Sequence, residues 1–190
     1  MRTVENDITL ILGGARSGKS SFAERLAIEA RLPVTYIATA DVRDEEMARR
    51  VEFHKKRRPA EWDTWEGAPD DLPSTISGMR GVLLLDCLTF WLSRLCFASG
   101  IEDIGEDEWN LRELAIQSLA KRLCEAPADG ARLIIVSNEV GFGLVPPNVM
   151  GRRFRDLQGR VNQLTALRSR RVALVVAGCP LWVKNIAEVL

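Results

Sequence analysis

A short apolar run, Ile8–Leu12, passes straight into Gly13-Gly14-Ala15-Arg16-Ser17-Gly18-Lys19-Ser20, and helical spacing through Phe22, Leu26 and Ala27 follows. The pattern G-x-x-x-x-G-K-[ST] between a buried strand and a helix constrains this chain more than any other feature. Gly13 and Gly18 permit backbone angles that a side chain forbids, so successive N–H groups can converge on one anion. The helix start adds partial positive charge at the same point. Lys19 reaches the outer phosphates of a nucleoside triphosphate, and Ser20 offers a hydroxyl to Mg²⁺. Gly13, Gly14, Ala15, Arg16, Ser17, Gly18, Lys19 and Ser20 are therefore expected to hold a nucleotide. The competing reading is a tight strand-to-helix turn that merely contains a lysine.

Four further apolar runs, Val34–Ala38, Val82–Leu85, Leu133–Val136 and Val172–Ala177, lack polar alternation. Runs of this kind fit strands buried on both faces of a parallel sheet. Segments with helical spacing separate most of them: Ser20–Ala30, Leu88–Ala98 and Trp109–Glu125. Strand–helix alternation predicts an α/β fold, a doubly wound and mostly parallel sheet. With 190 residues, one domain over residues 1–190 is expected. Pro59–Arg80, rich in Pro, Gly and acidic residues, reads as a long irregular connection, and Gly141–Gly151 as a loop between strand and helix. Loops this long usually carry function, and those leaving strand C-termini line the ligand crevice.

Composition narrows the function classes. Lys+Arg and Asp+Glu are both 26, so no basic excess favours nucleic acid. Apolar runs of five or six residues are too short to span a bilayer. Glu5 and Asp7 interrupt any apolar leader, which argues for a cytoplasmic protein. Cys87, Cys96, Cys124 and Cys179 show no C-x-x-C spacing, and His54 is the sole histidine, so a zinc site is not expected. Three of the four sit in apolar surroundings, so buried, reduced thiols are expected instead.

Asp86 ends the run Gly81-Val82-Leu83-Leu84-Leu85, where a carboxylate can serve Mg²⁺ beside Ser20. Asp44–Lys56 reads as a helix with Met47, Val51 and His54 on one stripe, followed by Lys55-Lys56-Arg57-Arg58. His54 has two readings. One is a partly buried imidazole beside a solvated basic patch. The other is a nucleophile that attacks an α-phosphorus, with the cations keeping the ring uncharged and stabilising the departing pyrophosphate. Residue types alone do not choose between them.

Several stretches together resemble a known family. They are Gly13–Ser20, Tyr36-Ile37-Ala38-Thr39-Ala40, the helix ending in His54-Lys55 with Arg58-Pro59, and Leu85-Asp86-Cys87-Leu88-Thr89. Two more are Ser137–Pro146 and Arg153–Gln163. The chain is similar, over almost its whole length, to the bifunctional adenosylcobinamide kinase / adenosylcobinamide-phosphate guanylyltransferases of cobalamin biosynthesis. The resemblance implies a P-loop fold of the RecA-like type and two reactions. A nucleoside triphosphate, ATP or GTP, phosphorylates adenosylcobinamide, and GMP then passes from GTP to adenosylcobinamide phosphate. It implies that His54 carries the GMP covalently. It also implies nucleotide contacts at Gly13–Ser20, Ala40, Asp41, Val42, Lys55, Lys56, Arg57, Arg58, Glu66 and Asp86, and a homotrimer. Some relatives carry a second histidine where this chain has Phe53, so a backbone group, Glu52 or Glu66 is expected to orient His54. The alternatives are a P-loop kinase with only one of the two activities and a non-catalytic nucleotide-binding module.

Three remaining features invite expectations. Asn138 and Glu139 follow a buried strand, so one of them should orient or deprotonate the attacking hydroxyl. The Gly141–Gly151 loop, with Phe142, Leu144 and Val145, is a candidate corrinoid wall, or else packs on the sheet. Arg153–Ser169 reads as a helix whose arginines face solvent, and Trp62 and Trp65 are buried either within the chain or at an oligomer interface.

Overall fold

The computed structural model describes residues 7–41, 45–97 and 104–185. All five apolar runs form strands: β1 (Asp7–Gly13), β2 (Val34–Ala38), β4 (Val82–Asp86), β5 (Arg132–Asn138) and β6 (Arg171–Val176). Two more, β3 (Asp63–Trp65) and β7 (Cys179–Asn185), complete one seven-stranded sheet in the order β3-β2-β4-β5-β1-β6-β7. Every pairing is parallel except β6 with β7. The expected mostly parallel α/β architecture is present.

Alternation along each strand feeds two cores. Ile8 and Leu10 of β1, with Leu83 and Leu85 of β4, face one cluster, and Ile11, Val82 and Leu84 face the other. The first is covered by α4 (Leu88–Phe97), α5 (Glu106–Glu125), α6 (Val149–Arg168) and the short α3 (Leu72–Ile76). The second is covered by α1 (Lys19–Glu29). Burying each Leu or Ile contributes roughly 1.5–3 kcal/mol, which is why apolar residues dominate these short strands.

The connection Pro59–Arg80 is not irregular throughout. Trp65 brings β3 beside β2, pairing with Ile37, and a 3-10 turn over Pro69–Asp71 leads into α3. A three-residue strand is too short to show a period, which hid it from the sequence. Trp91 Nε1 donates to the Pro69 carbonyl at 2.8 Å and pins this segment to α4. Trp65 packs on the first core and Trp62 on the second, so both find their apolar surroundings within the chain.

The hairpin β6–β7 corrects a second boundary. Ala177 and Gly178 have φ of 51° and 81°, the two left-handed residues of a tight hairpin turn, so Ala177 is not strand. β7 lies at the sheet edge and is largely exposed, so it carries no buried apolar run. Gly141–Gly151 also ends early. Asn148 caps α6, its side chain accepting from Gly151 N at 2.6 Å, and the helix begins at Val149. Likewise α5 starts at Glu106, with Glu106, Asp107 and Glu108 in its first turn suiting the helix dipole. The α6 arginines are mostly engaged rather than solvated: Arg160 pairs with buried Glu113, and Arg152 donates to the carbonyls of Pro146 and Pro147.

Candidate active site

The phosphate loop is held from two sides. A Cβ at Gly13 would meet the Ser17 hydroxyl and the Val175 carbonyl, so glycine is required where β1 ends. Gly18 caps α1 at φ 93°, and the Cα of Gly178 closes the space beside it at 3.1 Å. The Gly178 N–H donates to the Ser17 carbonyl at 2.7 Å, so the β6–β7 turn buttresses the loop. Lys19 Nζ donates to the Gly14 carbonyl at 3.0 Å.

In front of this loop lies a cavity of about 820 Å³. Its walls come from the C-terminal ends of five adjacent parallel strands, the location the doubly wound topology dictates. The loop contributes Ala15, Arg16, Lys19 and Ser20, and the end of β2 contributes Tyr36, Ala38, Ala40 and Asp41. Asp86, Cys87, Phe90 and Arg94 come from β4 and α4, and Asn138, Glu139 and Val140 from beyond β5. Helix α2 (Glu45–Arg57) and the turn after it supply Val51, Lys55 and Arg58, and the segment after β3 supplies Glu66 and Gly67.

Among the nucleotide residues expected from the sequence, ten share this cavity: Ala15, Arg16, Lys19, Ser20, Ala40, Asp41, Lys55, Arg58, Glu66 and Asp86. Gly13, Gly14, Ser17 and Gly18 shape the loop without lining the cavity. Lys56 and Arg57 turn elsewhere, Lys56 to Glu52 at 2.7 Å and Arg57 to Glu24 and Ser21. Val42 lies outside the described residues, as do the side chains of Phe53 and His54. Position 54 falls in α2, between Val51 and Lys55, two residues whose side chains line the cavity. Glu66, named as a partner for His54, is paired with Lys55 at 3.0 Å, and Glu52 is paired with Lys56.

Several contacts between site residues carried no sequence signal. The Tyr36 hydroxyl donates to Asp86 Oδ2 at 3.1 Å, and the Arg58 guanidinium rests 3.2 Å from the centre of the Tyr36 ring. Burial, then the Asp86 charge, hold the Tyr36 phenol well above its usual range, so it remains a donor. The Thr39 hydroxyl accepts from Cys87 N and donates to Cys87 O, both at 2.7 Å, locking the ends of β2 and β4. The Cys87 thiol is pushed up to about 12, first by burial and then by Asp86, so it is neutral at physiological pH.

Beneath Asn138 lies a buried polar network. Asn162 accepts from the Ser137 hydroxyl at 2.7 Å and from Gln158 at 3.0 Å, and donates to the Asn138 carbonyl at 3.2 Å. The Thr89 hydroxyl accepts from Asn138 N at 2.9 Å. Glu139 accepts from Gly141 N at 2.7 Å. The readable signal was Gln158 and Asn162 at i,i+4 in register with buried Leu157 and Val161. Past Val140 the loop is bare, with Phe142 84% and Leu144 96% exposed, so it does not pack on the sheet.

A phosphate loop after β1, a lysine and serine at its end, and an acidic residue on a neighbouring strand define a P-loop nucleotide-binding protein. Two solved structures share that fold. A protein of Pyrococcus horikoshii OT3, Project ID PH0250, has a TM-score of 0.55 at 8% identity, covering 99% of this chain and 90% of that one. An ATPase of a bacterial type III secretion system has a TM-score of 0.52 at 11% identity, covering 88% and 50%. The sequence model of the family described as cobinamide kinase / cobinamide phosphate guanyltransferase matches residues 9–183, and the chain belongs to that family. It is 45% identical over 180 residues to the bifunctional adenosylcobalamin biosynthesis protein CobP of Pseudomonas aeruginosa, covering 93% of this chain and 96% of the relative. It is 40% identical to CobU of Escherichia coli K12, covering 92% and 98%. The chain is thus a transferase of cobalamin biosynthesis. Among the described residues, no helix is long and apolar enough to cross a membrane.

Proposed function

We propose that this chain carries out both reactions of its family around the one cavity. In the first, the hydroxyl oxygen of the adenosylcobinamide side chain attacks the γ-phosphorus of a nucleoside triphosphate. A P–O bond forms, the bond to the nucleoside diphosphate breaks, and the hydroxyl proton leaves toward Glu139. Lys19 and the loop N–H groups hold the phosphates, and Asn138 orients the attacking group.

In the second, an imidazole nitrogen of His54 attacks the α-phosphorus of GTP. A P–N bond forms and pyrophosphate departs toward Lys55 and Arg58. A phosphate oxygen of adenosylcobinamide phosphate then attacks the same phosphorus, the P–N bond breaks, and adenosylcobinamide-GDP forms with the imidazole regenerated. The exposed apolar loop with Phe142, Leu144 and Val145, opening directly off Val140, suits the flat corrinoid.

The residues present fit Mg²⁺. Ser20 and Asp86 are hard oxygen donors on one cavity, and no group of three or more His, Cys, Asp or Glu side chains gathers among the described residues. That set suits an ion completed by phosphate oxygens and water. When bound, Mg²⁺ would neutralise charge developing on the phosphates.

The observation that supports this reading is that Val51 and Lys55, on either side of position 54 in α2, and Arg58 just beyond the helix line the same cavity as Lys19, Ser20 and Asp86. The test is denaturation after incubation with Mg²⁺ and GTP labelled at its α-phosphorus. Label that survives base and is released by acid is expected, as for a phosphoramidate. His54→Ala should abolish it while corrinoid phosphorylation continues. Acid-stable label, or label retained in that variant, would refute the histidine's role.

A further inference from the structure

Tyr36 touches two groups that the two reactions use separately. Its hydroxyl donates to Asp86 Oδ2, which leaves Oδ1 as the carboxylate oxygen not held by the ring. Its face carries the Arg58 guanidinium at 3.2 Å. Arg58 Nε and Nη1 are buried with no hydrogen-bond partner, so the aromatic face is what aims this cation over the cavity. Tyr36 itself is only 3% exposed and stands in the middle of β2, flanked by the pairing of Tyr36 with Leu84 on one side and Thr64 on the other. It cannot move without the sheet. A carboxylate at a strand end otherwise rotates between orientations, and a guanidinium whose buried Nε and Nη1 have no acceptor otherwise has no preferred one.

We propose that Tyr36 is a positioning residue for both reactions, fixing the Asp86 carboxylate for the metal side of phosphoryl transfer through its hydroxyl and aiming Arg58 at the departing pyrophosphate through its ring. This rests on the reading of Asp86 as the metal-side carboxylate given above. The two duties reside in different atoms, so they separate by mutation. Tyr36→Phe deletes the first and keeps the second, and Tyr36→Leu deletes both.

The experiment measures Mn²⁺ binding in the presence of GDP by electron paramagnetic resonance, the Mg²⁺ dependence of corrinoid phosphorylation, guanylyl-enzyme yield at saturating Mg²⁺, and melting temperature. Tyr36→Phe should need about tenfold more metal in both titrations, the effect of one lost hydrogen bond to a charged acceptor. Its guanylyl-enzyme yield at saturating metal should match the parent protein, while its melting temperature should fall modestly, because the same bond is lost from the metal-free fold. Tyr36→Leu should also lose guanylyl-enzyme. Asp86→Asn is the control for the underlying reading: if it leaves the metal titrations unmoved, Asp86 is not on the metal side and the proposal falls with it. If Asp86→Asn displaces those titrations and Tyr36→Phe does not, the role of Tyr36 alone is overturned. A Tyr36→Phe phosphorylation defect that added metal fails to restore would reduce Tyr36 to a packing residue and overturn it as well.

Discussion

Arg57 Nη2, in the last turn of α2, lies 2.6 Å from Glu24 Oε2 on α1 and donates to Ser21 Oγ at 2.8 Å. The pair fastens the cationic end of α2 to the helix that begins at the phosphate loop. Glu24 is buried, and its second oxygen has no hydrogen-bond partner. Removing Arg57 therefore strands a carboxylate. Because Arg57 is itself partly solvated, the cost is about 1–3 kcal/mol rather than that of a fully buried pair. Arg57→Ala should lower the melting temperature by roughly 2–10 °C by calorimetry. Guanylyl-enzyme formation should fall more than corrinoid phosphorylation, since α2 carries position 54. Equal loss of both activities would show that the clamp serves the whole domain instead.

The network under Asn138 makes a second prediction. Asn162→Leu leaves the Asn138 carbonyl and the Ser137 hydroxyl each without one buried partner, at about 1–3 kcal/mol each. The same change loosens the segment that presents Asn138 and Glu139. Phosphorylation should lose kcat with little change in the KM for nucleotide, because the phosphate loop is untouched. A change confined to the nucleotide KM would contradict this.

The thiols make a third. Burial pushes the Cys87 and Cys96 thiols up to about 12 and the Cys124 thiol up to about 11. Cys179 is exposed. A maleimide at pH 8 should therefore label one thiol rapidly, and Cys179→Ser should remove that phase. The raised values also set a pH dependence. Above an unfolded thiol value of about 9, the unfolded chain releases protons that the folded chain keeps. Stability from these thiols is thus complete below pH 9 and declines as the pH rises through 11 to 12. Urea midpoints between pH 8 and pH 10.5 should fall, and Cys96→Ala with Cys124→Ala should flatten that fall.

What a reader could take from the sequence follows range of interaction. The phosphate loop was legible because its chemistry is local: the glycines, lysine and serine act on one anion within eight residues. The buried strands were legible because a strand covered on both faces is dominated by consecutive apolar residues. β3 and β7 were not, since a three-residue edge strand has no period and an exposed one has no apolar run. Within the basic run 55–58, sequence treated four cations alike. The helix turns them to different sides, so Lys55 and Arg58 reach the cavity while Lys56 and Arg57 pair with Glu52 and Glu24.

The chain's order of residues by itself determined that a phosphate-loop motif would follow β1, and that an α/β sheet would surround it. Tertiary structure alone decided which groups meet there. Tyr36 and Asp86 are fifty positions apart, and Asn138 lies under the reach of Asn162 on a different element. Crossover connections bring separate strand ends to one edge, and hydrogen bonds between side chains so distant along the chain leave no mark in local pattern.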